Sequence, residues 1–231
     1  MIVAALALAL VAVSALVAGA GDTPAALAPY LRARDEGRTG VVTGEAFAEP
    51  TRPTGAPTPY PAVSVMLMPS DPGLEAELDR IRGALRESSR NYFGSAEQLR
   101  AAREAYEREL VFAGGGELLR GEVSDAAGRF RFPDIPAGSW LLLAWREVPH
   151  AVPTRRAPGR QAETFVGNTE TKGYGALELW RQAVEVRLGE SVAVRLHDRN
   201  IWVTVVREDR YLRTPAEGSR GVGRRQGTTP R

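Results

Sequence analysis

Residues 123–144, VSDAAGRFRFPDIPAGSWLLLA, contain the turns and the alternating pattern that decide the fold. Phe130 and Phe132 lie two residues apart, so in an extended chain both side chains point to the same face. Asp125 and Gly128 are residue types that favour a tight turn before this strand. The stretch therefore predicts consecutive antiparallel strands joined by hairpin turns.

Further strands are predicted on both sides of this stretch. Upstream, residues 40–48 and 62–69 have the β-branched and alternating composition of strands. Downstream, the strand-like segments are 140–145, which is apolar on both faces, 183–188, 192–196 and 201–206. The total of about seven strands predicts a mainly β fold built as a sandwich of two sheets.

A helical hairpin interrupts the strands over residues 72–112. Apolar residues of its first helix recur at helical spacing, at Leu74, Leu78, Ile81 and Leu85. Ser95 and Gln98 have the spacing of a capping box, which predicts that the second helix begins there. The narrow apolar stripe of such a hairpin needs a surface to cover it. Either the sheet of the same chain or a coiled coil with another copy supplies that cover, and the sequence leaves both open.

The predicted tip of the hairpin contains two adjacent aromatic residues, Tyr92 and Phe93. Exposed aromatic side chains at a tip are candidates for contact with a partner. The alternative is that they pack locally between the helix ends. We expect the hairpin to project from the edge of the sheet and to display this tip.

The same residues resemble a known family. The pattern D-x-x-G-x-F-x-F at 125–132, then P-x-G-x-W at 136–140, resembles the carboxypeptidase regulatory-like domains, which are transthyretin-like and carbohydrate-binding-like β-sandwiches. The strands at 40–44 and 62–65 also fit, and Trp140 replaces the usual Tyr. The resemblance implies a seven-stranded Greek-key (prealbumin-like) sandwich over 39–206, used as a structural, adhesive or sugar-binding accessory module.

A long segment without clear periodicity, residues 149–180, is the second departure from that family. Long connections in compact domains are commonly functional or disordered. Aromatic faces and polar groups together suit the stacking and hydrogen bonding of a sugar. The candidate ligand-binding residues are Phe165, Tyr174, Trp180, Arg155, Arg156 and Asn168. The alternative is that these aromatic residues pin the loop to the sandwich.

The composition argues against most catalytic chemistry. The chain has no Cys and two His, which excludes disulfides, thiolate metal sites and a His-rich metal site. His150 and His197 lack a nucleophile elbow nearby, and no Gly-rich phosphate loop precedes a helix. We therefore expect a protein that is not an enzyme and has no cofactor or metal. An exported hydrolase built on His150 or His197 is kept as a remote alternative.

The two ends of the chain predict where the protein acts. Residues 2–18 carry no charge and are followed by a small-residue cleavage pattern, so residues 1–20 are predicted to be an export signal before a lead at 21–38. The protein is then secreted or periplasmic, and it is attached to a membrane only if the signal is retained. Residues 207–231 contain seven Arg and three acidic residues and predict a solvated, disordered tail. Nucleic acid is not expected as a partner, because no aromatic residues interleave the basic ones at the end of the tail, residues 218–231.

These observations predict an exported, non-catalytic β-sandwich module that binds a protein partner or a cell-envelope component. The alternative is a carbohydrate-binding module that uses the aromatic residues of 149–180.

Overall fold

The computed structural model describes residues 26–52, 54–148 and 169–212, and this part of the chain contains three α-helices and nine strands. The helices are α1 (Ala28–Asp35), α2 (Pro72–Ala84) and α3 (Ser89–Phe112). The strands are β1 (Thr39–Ala48), β2 (Thr58–Pro59), β3 (Ser64–Pro69), β4 (Arg120–Val123), β5 (Arg129–Pro136), β6 (Gly138–Val148), β7 (Thr169–Val186), β8 (Ser191–His197) and β9 (Val203–Leu212).

The strands form two sheets. In the four-stranded sheet β1 is central, antiparallel to β5 on one side, where Val42 lies opposite Phe132, and parallel to β8 on the other, where Val42 lies opposite Val192. The two-residue β2 joins the end of β1. The five-stranded sheet is antiparallel throughout, in the order β4-β3-β6-β7-β9.

The prediction of a mainly β fold with two sheets is confirmed, but the count of seven strands is not. The described residues form nine strands, because β2 arises inside the Pro-rich connection before β3 and each of the last three strand-like segments is a strand. The parallel pair of β1 and β8 was also not predicted. It joins residues about 150 positions apart in sequence, and no local sequence pattern predicts which distant strands will pair.

The main core lies between the two sheets. From the four-stranded sheet it takes Val42 and Phe132, and from the five-stranded sheet Leu67, Trp140 and Trp180, all of them buried. The indole N–H of Trp140 donates to the carbonyl oxygen of Pro136 at 2.9 Å. Because a buried indole N–H needs an acceptor, this bond lets the large ring lie inside the core.

A second core lies on the outer face of the five-stranded sheet, beneath the helical hairpin formed by α2 and α3. Alternate residues of β6 point to opposite sides, so Trp140, Leu142 and Ala144 enter the main core while Leu141 and Leu143 face the helices. The other members of this second core are Met68, Leu74, Leu78, Ile81, Leu99, Val203 and Val205. The hairpin therefore lies flat on its own sheet, and the expectation that it projects from the sheet edge is wrong.

The start of α3 differs from the prediction. The helix begins at Ser89, and the hydroxyl oxygen of Ser88 accepts the backbone N–H of Asn91 at 3.1 Å. Ser95, the predicted cap, lies inside the helix and donates to the carbonyl oxygen of Tyr92 at 2.6 Å. Residues 85–88 separate the two helices, and the amide of Asn91, in the first turn of α3, donates back to the carbonyl oxygen of Ala84 and ties the two helices together.

Strand β7 begins within the segment predicted as a loop. Residues 169–180 are strand, and 169–175 pair with 207–212 of β9 beyond the end of β6. These two segments form a two-stranded ribbon that continues past the rest of the sheet. Residues 207–212, predicted as part of the tail, are therefore also strand.

Other predicted segments lie wholly or largely outside the described residues. They are the export signal at 1–20, residues 149–168 and the tail from 213. Within the predicted lead, Tyr30 of α1 packs edge-on against Trp140, with ring centroids 5.3 Å apart, and donates to the carbonyl oxygen of Ser139. None of the helices in the described part of the chain has the length and apolar character to cross a bilayer.

Candidate functional site

Trp180, the central residue of the predicted sugar site, is completely buried in the main core. Its indole N–H donates to the carbonyl oxygen of His197 at 2.9 Å, and its ring lies 6.3 Å from that of Tyr60. A sugar needs an open ring face to stack on. The prediction that Trp180 contacts a ligand is therefore wrong, and its role is to fill the sandwich.

The other candidates of that site are not brought together by the described residues. Arg155, Arg156, Phe165 and Asn168 lie outside the described residues, as does His150. The backbone of Tyr174 lies in β7 opposite Glu208. That these five candidates bind a ligand therefore stays a prediction.

At the end of the sandwich near residue 148, arginine side chains lie over the faces of aromatic rings. The guanidinium of Arg146 lies 3.5 Å from the ring centre of Tyr60, and Arg146 also pairs with Glu178 at 2.6 Å. Arg195 lies 4.9 Å from the ring centre of Phe47. These cation–π contacts cover ring faces that a sugar would use.

His197 belongs to a charged group at the same end of the sandwich. Its Nδ1 is 3.2 Å from Oε1 of Glu49, and the other carboxylate oxygen of Glu49 is 2.8 Å from Nε of Arg199. The backbone N–H of Glu49 donates to Asp198, which lowers the pKa of Asp198. Among the described residues these contacts join the carboxylate of Glu49 to a guanidinium and an imidazole and supply no nucleophile beside the imidazole. The pair of Glu49 with Arg199 is a structural ion pair at the surface.

The outer side of α3 presents apolar side chains at both of its ends. Near the start, Tyr92 and Phe93 are 39% and 50% exposed, with ring centroids 5.6 Å apart. Near the end, Val111 and Phe112 are 55% and 89% exposed. Phe93 and Val111 are 18 residues apart, which is five helical turns, so they share one face about 27 Å apart.

Ion pairs fill the space between these two ends. Arg100 pairs with Glu97 and, at 2.6 Å, with Glu104. The hydrogen bond from Arg100 lowers the pKa of Glu97. Because these charges are neutralised within the helix, the two apolar ends are the parts of this face that expose large hydrophobic side chains. We call the exposed side of α3 between Phe93 and Phe112 the α3 outer face; Phe93 and Val111 lie along one line on it, and Phe112 is turned by about 100° from that line.

A shallow groove lies at the end of the α3 outer face. It is lined by Glu104, Glu107, Arg108, Val111, Phe112 and Leu119. Burial raises the pKa of Glu107, whose carboxylate is 2.8 Å from Nη1 of Arg103. The groove is therefore apolar at Val111, Phe112 and Leu119, with a charged rim.

Val111 and Phe112 were not identified from the sequence, although a signal was present. Leu110, Val111 and Phe112 are three consecutive apolar residues at the end of an amphipathic helix. Only one residue of such a run can occupy the buried stripe of a helix with a narrow apolar face. Leu110 takes that place, so its two neighbours are directed outward.

Within the described part of the chain, no group of three or more His, Asp or Glu side chains is arranged to hold a metal ion.

Comparisons with known proteins give partial similarities only. No protein-family model matches the chain, and no curated protein matches it. A candidate carbohydrate-binding protein from Pseudomonas aeruginosa is 17% identical over 69% of this chain and 88% of its own, with a TM-score of 0.36. The pilus backbone of Streptococcus pneumoniae is 14% identical over 67% of this chain and 40% of its own, with a TM-score of 0.25. Neither similarity assigns the chain to a family, and the resemblance to carboxypeptidase regulatory-like domains stays a prediction.

Proposed function

We propose that this protein is an exported, non-catalytic interaction module that binds a protein partner through the α3 outer face. One observation carries the proposal. Of the six large hydrophobic side chains that are exposed in the described part of the chain, four lie on α3: Tyr92, Phe93, Val111 and Phe112. Adjoining exposed apolar side chains mark surfaces that bind other molecules, whereas single scattered ones are ordinary, and these four residues form one adjoining pair at each end of α3.

The packing beneath α3 supports a binding role, because it holds this face in a fixed position. The hydroxyl of Tyr106 donates to the carbonyl oxygen of Pro69 at 2.9 Å, and Arg103 lies 4.9 Å from the ring centre of Trp145. Leu99 is buried against the sheet. A preorganised surface loses little conformational entropy on binding, which favours affinity.

The distance between the two apolar ends of α3 determines what the surface of the partner must provide. The partner needs two apolar contact regions about 27 Å apart, which is the length of 18 helical residues. Between them it meets the paired charges of Glu97, Arg100 and Glu104. Phe93 and Phe112 are the expected hot spots, since aromatic anchors contribute most of the binding energy at protein interfaces.

Site-specific photocrosslinking in the producing cells tests this proposal. A photoreactive amino acid is placed at Phe93 or at Phe112, and the adducts are identified by mass spectrometry. Leu188 is the matched control, because it is 66% exposed but lies alone in the turn between β7 and β8. We expect Phe93 and Phe112 to yield the same second protein and Leu188 to yield none. Equal adducts from all three positions, or only adducts between copies of this chain, would contradict the proposal.

A further inference from the structure

The five-stranded sheet ends at β4, and the outer edge of this strand is open to solvent. All four residues of β4 are exposed, and β3 is its neighbour in the sheet. Gly121 has open space where a Cβ atom would lie, so a side chain introduced there would meet no described part of the chain. An open edge strand is a template for pairing with another strand.

The backbone N–H and C=O groups of β4 point alternately, residue by residue, towards the neighbouring strand and towards the solvent. The backbone N–H of Ser124 donates to the carbonyl oxygen of Val63 at 2.9 Å. In an antiparallel pair the bonding direction alternates along the strand. Arg120 and Glu122 therefore bond towards β3, and Gly121 and Val123 direct their N–H and C=O groups outward.

The register of β3 and β4 assigns the side chains of β4 to the two faces of the sheet. Arg120 and Glu122 lie opposite Leu67 and Val65, and both of those residues face the main core. Gly121 lies opposite Met66, which packs on the hairpin side. Arg120 and Glu122 thus share one face of β4 as exposed charges of opposite sign.

We propose that two copies of this chain associate by antiparallel pairing of their β4 edges, centred on Gly121. In this register Arg120 of each copy lies directly opposite Glu122 of the other, which gives two cross-strand ion pairs. Val123 lies opposite Leu119 of the second copy on the hairpin side. The two Gly121 residues exchange both of their outward hydrogen bonds. The two five-stranded sheets become one continuous sheet.

Symmetry and charge select this register. A two-fold axis that pairs two edges antiparallel is perpendicular to the sheet, so the pairing is centred on one residue. Centring on Arg120 or on Glu122 places like charges directly opposite each other, which destabilises the pair. Centring on Val123 forms no ion pair. The centre at Gly121 forms two, and this self-complementarity identifies a second copy as the occupant of the edge.

Charge reversal at β4 tests the pairing by sedimentation velocity on the full chain, of mass 25.0 kDa. Arg120→Glu alone and Glu122→Arg alone each place like charges opposite, and we expect each to weaken the dimer about tenfold. An equimolar mixture of the two variants recovers two ion pairs and forms the heterodimer, and the double variant recovers the homodimer. Arg131→Glu is the control that leaves association unchanged, because Arg131 is an exposed residue of β5 in the other sheet. A wild-type protein that is monomeric at all concentrations, or single variants whose dimer dissociation constants equal that of the wild type, would overturn the proposal.

Cysteine trapping tests the register directly, because the chain contains no Cys. Pairing centred on Gly121 brings the two Cα atoms of that residue to about 5.5 Å, within disulfide range. Gly121→Cys should therefore form a disulfide-linked dimer under mild oxidation. Val123→Cys is the matched control, since its two copies lie about 14 Å apart along the strands. Trapping at Val123 and not at Gly121 would show that this register is wrong. Neither position is part of the α3 outer face, so this result is independent of the crosslinking at Phe93 and Phe112.

Discussion

Trp180 and Phe112 are both large aromatic residues, and the structure places them in opposite environments. Trp180 is fully buried between the sheets, with its N–H satisfied by the carbonyl oxygen of His197. Phe112 is 89% exposed. Residue type alone does not separate a core residue from a binding residue, because hydrophobic side chains are favoured both in a core and in an interface. Its position on the strand or helix decides whether an aromatic residue is buried or exposed.

We expect Trp180→Ala to lower the free energy of unfolding by about 3–5 kcal/mol, because it leaves a large cavity in the main core. Phe112→Ala is the control, and its effect should stay within about 0.5 kcal/mol, as for other exposed positions. Urea denaturation followed by circular dichroism measures both. If the two variants were equally stable, the burial of Trp180 would be contradicted.

The burial of Trp180 was hidden in the sequence by its neighbours. Inward-facing Ala176, Trp180 and Val184 lie in β7 beside Leu177 and Leu179, which face the hairpin. With both faces apolar, the alternation that identifies a strand disappears. A strand covered on two sides therefore resembles an irregular segment when only its periodicity is considered.

At the scale of elements, the hairpin turn between β4 and β5 was predictable because its chemistry is local. Asp125 accepts the backbone N–H groups of Ala127 at 2.9 Å and Arg129 at 2.8 Å, and Gly128 has a positive φ of 76°. These are the roles that the D-x-x-G pattern predicts. The hydrogen bond from the backbone of Arg129 is the main reason that the pKa of Asp125 is lowered.

The lowered pKa of Asp125 predicts a dependence of stability on pH. A carboxyl group whose pKa is lower in the folded state stabilises the fold above its unfolded pKa and loses this effect as pH falls through the folded pKa. We expect the melting temperature of the wild type to fall more between about pH 6 and pH 2 than that of Asp125→Asn, which does not titrate there. Differential scanning calorimetry at both pH values makes the comparison. Identical decreases for the two proteins would rule out this role of Asp125.

The start of α3 was harder to predict, because two serines compete as caps. Ser88 and Ser95 are each followed three residues later by an amide side chain, Asn91 or Gln98. Only Ser95 matches the capping-box pattern, yet Ser88 caps the helix. The choice depends on the bond from Asn91 to the end of α2, a contact between elements that local spacing does not contain.

At the scale of the whole molecule, the chain is built in three layers. The helical hairpin covers one face of the five-stranded sheet and the four-stranded sheet covers the other. Antiparallel sheets commonly have one solvated face, so a middle sheet buried on both sides requires apolar residues at consecutive positions. The run 140–145 carries that signal, and the sequence predicted its apolar faces without identifying what covers the second one.

The three-layer arrangement predicts that the hairpin is required for solubility. Replacing residues 71–117 by a short Gly-Ser turn is geometrically feasible, because Leu67 and Arg120 are paired neighbours. The deletion exposes Leu141, Leu143 and Val205, and we expect it to self-associate and to bind a hydrophobic dye.

The same deletion with Thr at positions 141, 143, 203 and 205 is the matched control for this prediction. It should be monodisperse in size-exclusion chromatography, since Thr keeps the strand propensity and removes the apolar surface. A deletion variant that is soluble without these substitutions would show that the second core is dispensable.

The parallel pair of β1 and β8 also determines how the molecule responds to force. Seven residue pairs, from Val41 with Ser191 to Phe47 with His197, join strands that run in the same direction. Tension between the start of β1 and the end of β8 pulls the two strands past each other along their axes. The hydrogen bonds of the pair are then loaded together and not one after another, so we expect this pair to resist such tension more strongly than strands that separate one bond at a time.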